Sequence, residues 1–136
     1  MIDLDRTNHT PAYLCGRLLA VLERTQTLAI PGANTTLVDR YYGTASTAPA
    51  SVFGWLMTGA QAHLSKLRHD RPGAHGALQR ELEEVLGELP AFPRTLSMDQ
   101  QALFALGYYH QRAASRAAGR ARAQATETAE LESDTD

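Results

Sequence analysis

Cysteine is nearly missing from this sequence. The single thiol, Cys15, has no partner for an internal disulfide, and one residue cannot build a cysteine-rich zinc site. Long apolar runs are missing as well. None approaches the roughly 20 residues needed to cross a bilayer, and the opening MIDLDRTNHT is too polar for a signal peptide. The expected location is the cytoplasm, with no membrane contact. Catalytic signatures are also lacking: there is no HExxH, no GxSxG and no Walker-type glycine loop. The middle three of the histidines His9, His63, His69, His75 and His110 are six apart, a spacing that does not bring two onto one helix face. No metal site, cofactor or catalytic group is expected. Finally, no stretch alternates with period two for long enough to be a strand.

One further absence is local. Between Gln100 and Thr126 there are four arginines and no acid. The overall charge of −2 hides this asymmetry. Residues 1–125 carry 13 basic against 10 acidic side chains, a net of +3, whereas residues 126–136, TETAELESDTD, carry five acids and no base. Such a distribution fits a polyanion partner. It fits equally a solvated helix face followed by a solubilising tail.

What is present is helical periodicity in a chain of 136 residues, 43% of them hydrophobic, enough for one domain with a real core. Thr10-Pro11 is a start signal, a capping residue followed by proline at the first helical position. Leu14, Leu18, Val21, Leu22, Thr25 and Leu28 then share one face, and Pro31-Gly32 ends the helix. Asn34-Thr-Thr caps a short turn through Tyr41, closed by Gly43, with a loop from Thr44 to Thr47. A second helix starts near Ala48-Pro49, with Val52, Phe53, Trp55, Leu56, Leu64 and Leu67 across a wide apolar arc; it is expected to be the central one. Asp70-Arg-Pro-Gly breaks the chain. A third helix runs from Ala77 to Leu89, and Ser97-Met-Asp-Gln100 reads as the capping box of a fourth, Met98 to about Arg122. The expected architecture is all-α: a compact helical bundle of four main helices over residues 1–125, followed by a disordered acidic tail over 126–136.

On the fourth helix, about 100° of rotation per residue places Leu103, Leu106, Gly107, His110, Ala114 and Ala117 on the packing face, with Gly107 allowing close helix contact. Arg112, Arg116 and Arg120 recur at one-turn spacing on the opposite side, with Tyr109 at their edge. On the first helix Tyr13, Arg17 and Arg24 line a similar stripe. Lys66 and Arg68 close the second helix, and Arg40 lies near a loop. Guanidinium groups at one-turn spacing suit a row of phosphates, because each fork donates two hydrogen bonds to an oxyanion. The other reading is that these arginines solvate the helices and complement their C-terminal dipoles. Cys15, beside the apolar face, is expected to be a buried small hydrophobe.

Two segments carry a resemblance. They are Ala33-Asn-Thr-Thr-Leu-Val-Asp-Arg-Tyr-Tyr-Gly-Thr-Ala-Ser-Thr-Ala-Pro-Ala-Ser-Val-Phe53 and Gln101-Ala-Leu-Phe-Ala-Leu-Gly-Tyr-Tyr-His-Gln-Arg112. With Ala12-Tyr-Leu-Cys-Gly-Arg-Leu-Leu-Ala-Val-Leu-Glu23 and His63-Leu-Ser-Lys-Leu67, they resemble the C-terminal part of the large subunit of the type I-C CRISPR surveillance complex, Cascade. That region is also translated separately as the small subunit, and a chain starting at Met1 just before the matching region resembles that product. The resemblance implies an all-helical, non-catalytic subunit. Its partners would be the large subunit, backbone subunits and further copies of itself, together with guide RNA and target DNA, and its basic side chains would stabilise the open R-loop. It brings Arg17, Arg40, Lys66 and Arg112 into alignment with the family pattern; Arg116, Arg120 and Arg122 lie beyond the matching part and rest on the helix stripe alone. The part of the large subunit that reads the short duplex flank would be absent. Two alternatives stay open: a purely protein–protein scaffold subunit without nucleic-acid contact, and a small helical enzyme using Asp39, Tyr41 or His110.

Overall fold

The computed structural model describes residues 3–33 and 35–134. Met1, Ile2, the expected cap residue Asn34, and Thr135 and Asp136 of the acidic tail lie outside the described residues. Among the described residues there is no strand, and the α-helices are α1 (Pro11–Ala29), α2 (Leu37–Thr47), α3 (Phe53–Asp70), α4 (Pro72–Gly87) and α5 (Met98–Asp134), with a 3-10 turn at Pro49–Ser51. The described residues are all-α, as expected, but form five α-helices in place of the expected four.

The helix ends follow local chemistry. Pro11 opens α1, although the Thr10 side chain makes no cap bond. Thr36 and Asp39 form a full capping box at the start of α2, with Thr36 N donating to Asp39 Oδ2 at 2.9 Å. The short turn expected to close at Gly43 is thus an 11-residue helix through Thr47, and the anticipated loop 44–47 is its last turn. Tertiary contacts hold that turn: Leu96 N donates to Thr47 O at 2.9 Å and Ala50 N to Pro93 O at 2.9 Å. At the Asp70-Arg-Pro-Gly break only Arg71 separates α3 from α4, and α4 starts at Pro72 rather than Ala77, because proline at the first position needs no N–H partner. The Ser97–Gln100 capping box is present, with Ser97 N donating to Gln100 Oε1 at 2.8 Å.

The central helix is α1, not the 48–67 segment. Every residue from Ala12 to Leu22 is buried, whereas α3 buries one stripe, Phe53, Leu56, Ala60, Leu64 and Leu67. Trp55, expected inside, is 62% exposed. Helix α5 packs along α1 more extensively than any other pair of elements does, and the two backbones nearly touch. A Cβ on Gly16 would lie 2.0 Å from Phe104 O, and one on Gly107 would lie 2.1 Å from Tyr13 O. Paired glycines on facing helices therefore set the crossing, as expected of Gly107.

That contact also sets the rotation of α5. The buried face is Phe104, Gly107, Tyr108, Gln111 and Ser115, about one residue, or 100°, away from the expected face. Leu106 is 44% exposed and Ala117 is exposed. Helix α5 continues unbroken past Ala125 to Asp134. Residues 126–134 are helical in place of the expected disorder, with side chains 126–133 exposed. No proline or glycine follows Gly119, and Ala, Gln, Glu and Leu are good helix formers that extend a long preformed helix without packing. Among the described residues no helix is long and apolar enough to cross a membrane.

Candidate nucleic-acid interface

Helices α1 and α5, with the α3–α4 corner, gather arginines that are far apart in sequence. Arg24, Arg71 and Arg122 line a cavity of about 370 Å³ together with Leu28, Ala74 and Gly119. Arg24 also borders a second hollow of about 230 Å³, shared with Arg112, Arg116 and Ser115. Gly119 makes room for this crowding, since a Cβ there would lie 2.7 Å from an Arg24 terminal nitrogen. The crowding has an electrostatic consequence. The Arg24 guanidinium is pushed below its ordinary range, first by burial, then by Arg116 and Arg122, with Arg71 adding to them and Glu81 opposing. Glu81 is itself pushed up by burial, against a hydrogen bond from Ser115 that spans 3.2 Å. Positive charge therefore outweighs its local counter-charge.

The residues singled out in the sequence divide into several environments. Arg17 is a correction: it is 1% exposed and faces the core. Its Nε donates to Gln111 Oε1 at 2.8 Å and its terminal nitrogen to Glu84 Oε1 at 3.0 Å. Arg6 pairs with the same carboxylate, and Gln111 passes the network on to Ser115 at 3.1 Å. Burial pushes the Glu84 carboxyl up, but the bonds from Arg6 and Arg17 outweigh it and hold the group below its usual range. Arg17 is thus a structural strut and not a surface contact. Lys66 donates to Ala29 O at 2.7 Å, closing the C-terminus of α1. Arg68, Arg116 and Arg120 are exposed.

Arg112 is half-buried beside the packing face, not opposite it. It lies 5.9 Å above the Tyr108 ring. Its Nε is buried and makes no hydrogen bond among the described residues, with Glu23 Oε1 4.0 Å away. Glu23 instead accepts from Tyr108 Oη at 2.7 Å, and burial followed by this bond pushes the Tyr108 phenol well up. His110 meets Tyr13 Oη through Nδ1 at 2.9 Å, and Tyr13 Oη accepts from Asp5 N. Tyr13 is buried, which removes it from the basic stripe. Cys15 is fully buried, and burial pushes its thiol up to about 12. Arg40 is exposed, on a separate pocket between α2 and α3. Of the arginine cluster, Arg71 was not among the expected contacts, and Arg122 rested on the helix stripe alone. Arg122 lies two residues beyond the one-turn series, and Arg71 sits in what read as a break, so only the packing of the α3–α4 corner against α5 joins them.

Among the described residues no three His, Cys, Asp or Glu side chains converge on a metal-sized site. Comparison with curated proteins finds no match. Comparison with family profiles finds one that covers residues 1–116, the profile of the CRISPR-associated protein family Cas_Csd1. The match takes in α1 to α4 and the first half of α5, including Arg24, Arg71, Arg112 and Arg116, and the chain therefore belongs to the Cas_Csd1 family of CRISPR-associated proteins.

Proposed function

We propose that this chain is the non-catalytic small subunit of a type I-C CRISPR surveillance complex, and that it holds nucleic acid near the guide–target region through the arginine cleft of α1, α4 and α5. One observation carries this reading: Arg24 joins two adjoining hollows, one lined by Arg71 and Arg122 and the other by Arg112, Arg116 and Glu23, and the charges of Arg116, Arg122 and Arg71 act on it against Glu81. Like charges held this close repel one another, and a phosphate chain is the polyanion that relieves the repulsion. Base pairing in RNA-guided recognition supplies the sequence choice, so such a subunit needs backbone contacts only. Held in a row with further copies and the other subunits, several such clefts would steady the displaced strand of an R-loop through high effective concentration, although one copy binds weakly.

The alternative is a scaffold subunit whose arginines meet acidic faces of neighbouring proteins. Reversing Arg71, Arg116 and Arg122 to glutamate separates the two. All three side chains are exposed, so the variant should fold. Binding of the isolated chain to single-stranded DNA should weaken, and the slope of log affinity against log salt should become shallower by roughly 0.7 for each phosphate that is no longer neutralised. Unchanged binding and unchanged opening of target DNA by the assembled complex would refute the cleft.

A further inference from the structure

The only tryptophan of the chain, Trp55, stands 62% exposed on α3. The same domain buries Phe53, Phe104 and Tyr108 almost completely. Trp55 is not isolated. The Tyr41 ring of α2 meets it edge to face, with centroids 5.1 Å apart and planes at 64°. The two rings wall a pocket of about 450 Å³, with Arg40, His63 and Gly59 on its lining. A Cβ on Gly59 would meet nothing within 4 Å, so there is open space beside it. The pocket also has a direction. Thr36 lines it and lines the hollow containing Arg24, Arg112 and Arg116, so the aromatic pocket and the arginine cleft adjoin at the start of α2.

The geometry points to a binding site for one unpaired nucleobase, stacked on Trp55 and bounded by Tyr41, with its phosphate on Arg40 and the following backbone running past Thr36 into the arginine cleft. The chemistry fits each part. A planar base stacks on an indole whatever its sequence. The Arg40 fork takes a phosphate oxygen pair, and the pocket volume lies within the range of small-molecule sites. This rests on the nucleic-acid reading of the cleft and adds to it. A cleft of arginines alone binds any polyanion, whereas this pocket requires a base.

Trp55 supplies its own reporter. The full chain is titrated with a short thymidine oligomer while Trp55 emission is followed, and binding is measured in parallel by the anisotropy of a labelled oligomer. The base site predicts quenching by the oligomer, none by an abasic oligomer of equal length and charge, and affinity for the abasic strand lower by about tenfold. Gly59→Met, which fills the pocket without touching the fold, should abolish the quenching and reproduce the tenfold loss. Gly87→Met, also in open space but at the end of α4, should change neither. Equal affinity and equal quenching with and without bases would overturn the base site while leaving the arginine cleft intact. No binding of either oligomer by anisotropy would overturn both. Emission that shifts with protein concentration alone would assign the pocket to a second copy of the chain and overturn the base site.

Discussion

Replacing Arg17 by alanine should destabilise the fold of this protein rather than remove a contact to a partner. The side chain is 1% exposed and donates from two nitrogens. Its removal leaves Gln111 Oε1, on a side chain with no exposure, without its donor, at about 1–3 kcal/mol for a buried unsatisfied acceptor. Glu84 keeps Arg6 and loses only part of its stabilisation, about 1 kcal/mol. The buried stem contributes about 2 kcal/mol more, at roughly 0.8 kcal/mol per methylene. Release of the cost of burying the guanidinium offsets part of this, which leaves a loss of about 4 kcal/mol, in line with breaking a buried ion pair. For a domain of this size that corresponds to a fall in Tm on the order of 10 °C. Arg17→Met keeps the stem and should lose less. Thermal and urea unfolding followed by circular dichroism at constant salt measures both. An Arg17→Ala protein that melts within 2–3 °C of the parent would refute the burial argument (the threshold being roughly 1 kcal/mol). The distinction matters in practice, because a charge-reversal screen would otherwise score Arg17 as a nucleic-acid contact when it is a fold determinant.

Two other perturbations test the fold. Gly107→Ala places a Cβ 2.1 Å from Tyr13 O and forces α1 and α5 apart, at about 3 kcal/mol or more; Gly59→Ala on open α3 should instead gain about 0.5–1 kcal/mol, and urea midpoints compare them directly. Glu84→Gln probes the pH dependence. Because the Glu84 carboxyl is held below its ordinary value of 4.5 in the folded chain, its contribution is present above that value and is lost as pH falls through the lowered folded value. The side chain is 36% exposed, so the deficit of the variant near pH 7 should be only about 1 kcal/mol. It should close on acidification, whereas a deficit independent of pH would mean that Glu84 acts through packing and not through its charge.

The places where sequence and structure part company share a cause. The inward face of α5 was placed by its large aliphatic residues, Leu103 and Leu106. The actual face carries Gln111 and Ser115, which no hydrophobic pattern selects. They point inward because Arg17 and Glu81, on other helices, supply their partners. Trp55 belongs to an apolar arc by composition, yet α3 meets its neighbours along one stripe only and leaves the indole outside. The central position of α1 was more legible than the one-face pattern suggested, since Ala12 to Leu22 is apolar nearly all round apart from Gly16 and Arg17, the mark of a helix covered on every side.

Local chemistry written in the chain determined the helical class, the proline start at Pro11, the capping box at Ser97, the close contact at Gly107 and the family resemblance, because each depends on a few neighbouring residues or on a linear pattern. Tertiary structure alone decided which arginines face solvent. A guanidinium on the margin of an apolar stripe can turn either way, and its direction depends on whether another helix brings a carboxylate to meet it. Glu84 meets Arg17 and draws it into the core. Arg24, Arg71, Arg116 and Arg122 converge with two partly buried carboxylates, Glu81 and Glu23, beside them, and that surplus of positive charge exists only once α1, α4 and α5 have packed.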